Sequence, residues 1–312
     1  MTLTQYEAFV SACDLGSLRA AGEATGFTQP ALSRQIAALE RAHGIALLHR
    51  RARGVDPTEA GAALLPHARL LVHEAARGRE AARAAGGEAA RLSVGAVPSA
   101  TAALVPAALA DLRATSGQEC ALVTALSPRL AGMVLARGLH AAVVTDAPPG
   151  LPHDPDLRTT HLVDDEMVVV VPADHALADH VLADHVLAEG ATARVATPIA
   201  ALAGERWIED NPGSIALLRT LAVRAGFEPR VEHLADDLAA KTGLVAAGLG
   251  VALVPGLLLP ALRADVAVVR LAEPATRGVY LLTRRDGPDL EGLAAALTRA
   301  AESVGKETRA RT

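Results

Sequence analysis

Apolar residues recur at helical spacing through the first third of the chain. Thr4 to Cys13 places Phe9 and Val10 near Tyr6 and Cys13 on one side of a helix. Ser17 can cap a second helix over residues 18–25, and Gly26 supplies a left-handed stop after it. A third helix opens at Thr28-Gln29-Pro30, with proline in the first turn, where a missing N–H costs little. Leu32, Ile36 and Leu39 fall at i, i+4 and i+7 and predict its core face. Gln29, Pro30, Ser33, Arg34 and Ala37 make the opposite arc, which is small and hydrogen-bonding. Helix, glycine turn, helix is the spacing of a helix-turn-helix, although plain Ala-rich bundles share that geometry. A helix entering a major groove needs such a slim polar surface.

The pattern then changes to a short hairpin. His49-Arg50-Arg51-Ala52-Arg53-Gly54-Val55 sets three arginines and a glycine where a wing would flank the third helix. A charge run is commonly a solvated face; beside a recognition helix it can hold phosphates or enter a minor groove. From Thr58 a helix runs toward Arg83, with Leu64, Ala68, Leu71 and Ala75 in a coiled-coil-like seam beside Leu65 and Val72. Pro66 predicts a kink or a later start. An exposed seam predicts self-association, and Gly86-Gly87 ends the helix in a joint. From Arg91 onward, apolar strand-like runs alternate with helical patterns, so the chain is α/β overall.

Composition narrows the function. The 312 residues suit two or three domains. A hydrophobic fraction of 51% and a mean hydropathy of +0.26 exclude a disordered chain. Aromatic residues are only 2%, which argues against a stacking platform for single-stranded nucleic acid. The formal charge of −5 is unevenly spread. Residues 1–91 hold 11 arginines against 9 acidic residues, net +2, and the remainder is net −7. Cys13 and Cys120 form no C-x-x-C pattern and fit a reducing compartment. The N-terminus has no basic, then apolar, leader, so a cytoplasmic protein is expected. The uncharged stretch Gly243 to Leu262 is about membrane-span length. Gly248, Gly250, Pro255, Gly256 and Pro260 break it, favouring a helix followed by a buried strand, and no membrane partner is expected.

Several residue runs resemble one known family. They are Phe9-Val10, Gly16-Ser17-Leu18-Arg19-Ala20-Ala21, Thr28-Gln29-Pro30-Ala31-Leu32-Ser33-Arg34-Gln35-Ile36, Leu39-Glu40, Gly44-Ile45-Ala46-Leu47-Leu48-His49-Arg50 and Pro57-Thr58-Glu59-Ala60-Gly61. In this order they resemble the N-terminal signature of LysR-type transcriptional regulators. Leu92-Ser93-Val94-Gly95-Ala96 and the run Gly243 to Pro255 extend the resemblance over nearly the whole chain. Leu48 stands where the family usually has Phe, and His140 where an acidic residue is common.

The resemblance implies a winged helix-turn-helix over residues 1–58, a linker and dimerisation helix over 59–89, and an effector domain over 90–312. That domain would have two α/β lobes, like type 2 periplasmic binding proteins. Lobe one covers about 90–161 and 266–304, and lobe two about 162–265. It implies double-stranded promoter DNA as partner, a homodimer or dimer of dimers, contact with RNA polymerase, and no cofactor beyond a small-molecule effector. Gln29, Pro30, Ser33 and Arg34 are then candidates for base reading, with Thr28, Arg50, Arg51, Arg53 and Thr58 for backbone and wing contacts. Effector contacts are expected after the strands, at Ser99, Thr101, Ser127, Arg129, Asn211, Gly213 and Ser214. Ser99, Ser127 and Ser214 also suit plain helix caps. The helix amino ends and Arg129 favour an anionic effector.

Other chemistry finds little support. The Ala-Asp-His repeat at 173–185 has a spacing of five, so its histidines diverge on a helix and no metal site is expected. Gly248-Leu249-Gly250 lies between a helix and a strand, the reverse of a dinucleotide loop. Cys120 reads as a structural thiol in a buried strand. No nucleophile–base pair suggests an enzyme. The alternative to a regulator is a solute-binding module with an oligomerising N-terminal domain.

Overall fold

A computed structural model of the chain describes residues 1–51, 54–85, 91–151, 153–178 and 196–311. Two compact units result, Met1–Arg91 with Met133–Leu139, and Leu92–Gly132 with His140–Thr312.

The first unit begins with α1 (Leu3–Leu15), α2 (Leu18–Thr25) and α3 (Gln29–His43). Ser17 and Thr28 side chains accept from Ala20 N and Ala31 N, and Gly16, Gly26 and Gly44 close the three helices in the left-handed region. Leu32 and Ile36 pack with Ala8, Ala12, Ala21 and Val55, while Leu39 packs with Phe9, Leu47 and Ala68. The antiparallel wing of β1 (Leu48–Arg51) and β2 (Gly54–Pro57) follows. Glu40 Oε1 accepts from Leu47 N at 2.9 Å and Leu48 N at 3.2 Å, so the last turns of α3 fix where the wing starts. Burial pushes the Cys13 thiol up to about 12, helped by the neighbouring Asp14, which keeps it protonated and unreactive.

The unit closes with α4 (Glu59–Ala85). Its start is set by Thr58, whose hydroxyl accepts from Gly61 N at 3.0 Å and donates to Ala46 O at 2.8 Å. Pro66 neither delays the start nor ends the helix; it lies inside it. The apolar seam does not stay open along its length. Ala68 is fully buried, and Leu64 and Leu65 pack on the Phe9–Leu39–Leu47 cluster, while Leu71 is 50% exposed. The first turns of this helix therefore belong to the core of the helix-turn-helix unit, and only later positions of the seam are open to a partner.

In the second unit, lobe one holds β3 (Leu92–Ala96), α5 (Leu104–Ser116), β4 (Cys120–Thr124), α6 (Ser127–Leu135) and β5 (Ala141–Thr145). Strand β3 pairs in parallel with β4 and β5. Helix α5 starts at Leu104 rather than near Ala100, which leaves Pro106 in its first turn instead of its interior. Strand β4 is the sheet edge, so Cys120 is half-buried and Leu122 and Val123 are exposed, contrary to the expected buried strand. His140, the family departure, accepts from Ser93 N through Nδ1 at 2.9 Å.

The long strand β6 (Leu157–Pro172) carries the chain into lobe two. There stand β7 (Arg206–Glu209), α7 (Pro212–Arg224), β8 (Arg230–Leu234), α8 (Leu238–Ala246) and β9 (Ala252–Pro255). They are joined by β10 (Val266–Val269), which was expected in lobe one but pairs with the end of β6 and packs in the lobe-two clusters. Strand β11 (Ala275–Arg284) returns antiparallel to both β6 and β5, and α9 (Glu291–Arg311) ends the chain. Met167, Val169 and Val171 of β6 pack with Trp207, Leu218 and Leu253, while Val168 and Val170 pack with Ile208, Val245 and Val254. Covering on both faces explains the continuous apolar run there.

Candidate functional site

The outer arc of α3 stays open. Thr28, Gln29, Pro30 and Arg34 are exposed and Ser33 is half-buried. Arg34 and Arg50 carry no ion pair among the described residues, whereas Arg51 pairs with Asp56 across the wing. Arg53 lies outside the described residues. Thr28 caps α3, and the Thr58 hydroxyl is spent inside the fold.

The second unit contains a cavity of about 260 Å³ between its lobes. It lies where the parallel strands end and helices begin, the usual ligand position in open α/β sheets. Of the effector candidates, Ser99, Ser127, Asn211, Gly213 and Ser214 line it. Thr101 and Arg129 are not in the wall. Thr101 Oγ1 donates to Pro98 O at 2.7 Å within its own turn, and Arg129 is exposed to solvent. Ser127 bridges helix and strand, its Oγ accepting from Thr145 N at 3.0 Å. Asn211 caps α7 by accepting from Ser214 N at 3.0 Å. Gly213 must lack a side chain, because a Cβ would stand 2.5 Å from Pro148 O.

Two buried ion clusters were not foreseen. In the first, Lys241 Nζ lies 2.6 Å from Glu209 Oε2 and 3.0 Å from Asp210 Oδ1, and Asp210 also accepts from Ser214 and Asn211. Burial pushes the Glu209 carboxyl above its ordinary range, more than Lys241 pulls it down. Burial acts on Asp210 too, but Lys241, Asn211 and Ser214 outweigh it and hold that carboxyl low. In the second cluster, Arg277 grips Asp165 and reaches Ser99 Oγ at 2.5 Å. Burial pushes Asp165 up against the pull of Arg277. Arg277, Lys241 and Asp210 line the cavity; Asp165 and Glu209 stand behind them.

Comparison with known proteins assigns both units. Residues 3–62 match the bacterial regulatory helix-turn-helix protein model of the lysR family, and residues 85–304 match the LysR substrate binding domain. The chain belongs to the LysR family of transcriptional regulators. It is 30% identical over 289 residues to the HTH-type transcriptional regulator TfdS of Cupriavidus pinatubonensis, covering 91% of this chain and 92% of that one. ShiR of Corynebacterium glutamicum is 33% identical over 268 residues, covering 83% and 85%. Among solved structures, full-length CbnR complexed with its target DNA has a TM-score of 0.62 at 21% identity, covering 97% of this chain and all (100%) of that one. A C206 mutant of C. glutamicum OxyR has 0.59 at 25%, covering 99% and 94%. This LysR-type regulator is a sequence-specific DNA-binding protein controlled by a small-molecule effector, and not an enzyme. The solute-binding alternative is set aside. No helix among the described residues is long and apolar enough to cross a membrane. They hold no group of three or more His, Cys, Asp or Glu suited to a metal; most of the Ala-Asp-His repeat, from 179 on, lies outside them.

Proposed function

We propose that Gln29, Pro30, Ser33 and Arg34 read base edges in a major groove, and that Thr28 and Arg50 hold the adjacent backbone. The observation that carries this is the open arc of α3, with Arg34 and Arg50 uncommitted to any acid among the described residues. Arg51 divides its charge with Asp56, so its phosphate contact is weaker; Arg53 and Thr58 complete the wing candidates. Two copies joined through the later turns of α4 would set two such helices on successive grooves. A dimer of dimers and a contact with RNA polymerase extend the same reading. The effector occupies the cavity against Ser99, Ser127, Asn211, Gly213 and Ser214 and shifts the balance of assembly arrangements.

Footprinting on the DNA upstream of its own gene locates the operator. On that operator, Arg34→Ala is expected to lose about 1–3 kcal/mol of discrimination at one base pair. An equal loss on random DNA would contradict base reading.

A further inference from the structure

We propose that the cavity takes a small monocarboxylate, and that Arg277 with Ser99 holds its carboxylate. The proposal rests on the reading of this cavity as the effector site.

The polar groups of the wall differ in how much hydrogen-bonding capacity the protein itself consumes. Ser127 Oγ accepts from Thr145 N and donates to Thr145 O. Asn211 uses its oxygen on Ser214 N and its nitrogen on Asp210. Asp210 accepts from Asn211, Ser214 and Lys241. Arg277 has capacity left. Its Nε and Nη2 donate to Asp165 Oδ2 at 3.0 and 2.8 Å, and Nη2 also donates to Ser99 Oγ. Its other terminal nitrogen, Nη1, donates to none of the described residues. A guanidinium carries five N–H donors in a planar fork, so two remain beside the Ser99 hydroxyl.

Unspent donors without unspent acceptors select an acceptor-rich ligand. A carboxylate takes bonds from a guanidinium edge and a hydroxyl together. An amine finds no partner at this end, because Asp165 is 2% exposed and its other oxygen is taken by Leu257 N at 2.8 Å. A second carboxylate on the ligand has no such anchor either: Lys241 keeps one N–H, but it is 1% exposed and its single charge already faces both Glu209 and Asp210. The volume, roughly nine water molecules' share of liquid, limits the ligand to metabolite size. Leu126, Leu217, Leu253 and Met167 suit an apolar body.

Arg277 and Asp165 are direct cross-strand partners on β11 and β6, the strands shared by both lobes. The bound carboxylate thus competes with Asp165 for one guanidinium. Asp165→Asn removes that competitor while keeping an oxygen for Leu257 N. It tests the proposal better than loss of Arg277, which would strand a buried acid.

The full chain is titrated calorimetrically with carboxylates from acetate up to benzoate and cyclohexanecarboxylate, with their methyl esters, and with the matching amines. At least one carboxylate is expected to bind, its ester and amine not. Asp165→Asn should tighten it about tenfold, and Ser99→Val should weaken it by a similar factor. Binding by esters or amines as strong as by acids overturns the proposal. So does an Asp165→Asn variant with unchanged or weaker affinity, or a carboxylate series in which nothing binds. Leu126→Trp, at a wall position 45% exposed, separates the place of binding from the chemistry of the ligand. A probe that still binds this variant lies elsewhere, and the cavity reading fails. A neutral or cationic probe lost with it leaves that reading and refutes only the carboxylate.

Discussion

Lys241 serves two carboxylates while almost wholly out of water. Replacing it with methionine is expected to cost about 3–5 kcal/mol, because two acids then face each other uncompensated. Their shared proton gives that loss a pH dependence. In Lys241→Met at least one carboxyl titrates well above its unfolded value, so stability is fullest below about pH 4 and declines as pH rises toward 7. Denaturant melts of variant and parent across that window check it; a gap that narrows toward neutral pH would contradict the pairing. Neither Lys241 nor Arg277 was legible as a site residue, since their partners lie far away in sequence: Asp165 and Arg277 stand 112 positions apart. A weak signal existed. Lys241 falls four residues before Val245 on the buried side of α8, and a lone charge there demands a partner. Ser99, Ser127, Asn211 and Ser214 were legible because a hydroxyl or amide just after a strand identifies its own turn.

At the level of elements, helix periodicity transferred well. The core face of α3 and the Gly26 stop follow from spacing alone, as does the two-strand wing, whereas the matching stops at Gly16 and Gly44 emerge only in the structure. Short polar strands did not transfer: β7 and β8 carry Arg206, Glu209, Arg230, Glu232 and His233, which hide the alternation. Their place comes from long-range pairing, with Trp207 bridging to Val251 beside β9. The packing of α4 on the wing was equally invisible. A Cβ at Gly61 would stand 2.0 Å from Leu47 O, so helix and wing meet only across a glycine. Gly61→Ala is expected to destabilise the N-terminal unit by about 1–3 kcal/mol. Thermal melting of the variant tests this; an unchanged midpoint would mean that the contact relaxes freely.

Across the whole molecule, the −5 conceals two differently charged parts, and the acidic excess belongs to the effector unit. Under the proposed reading, DNA affinity then rests on a few focused arginines rather than on a broad basic field. In the proposed dimer, association rests on what α4 leaves exposed. Leu71→Glu is expected to shift a dimer toward monomer in sedimentation measurements at micromolar concentration; an unchanged mass would move the self-contact off this helix. The cavity wall has a further property. Pro98, Pro128, Pro148, Pro149, Pro212 and Pro255 line it, six of the chain's 18 prolines. Proline has little rotamer freedom to lose and a fixed φ. Much of the wall is thus shaped before a ligand arrives, and little ordering entropy is charged against binding. Even a ligand of few atoms can then hold tightly enough to signal.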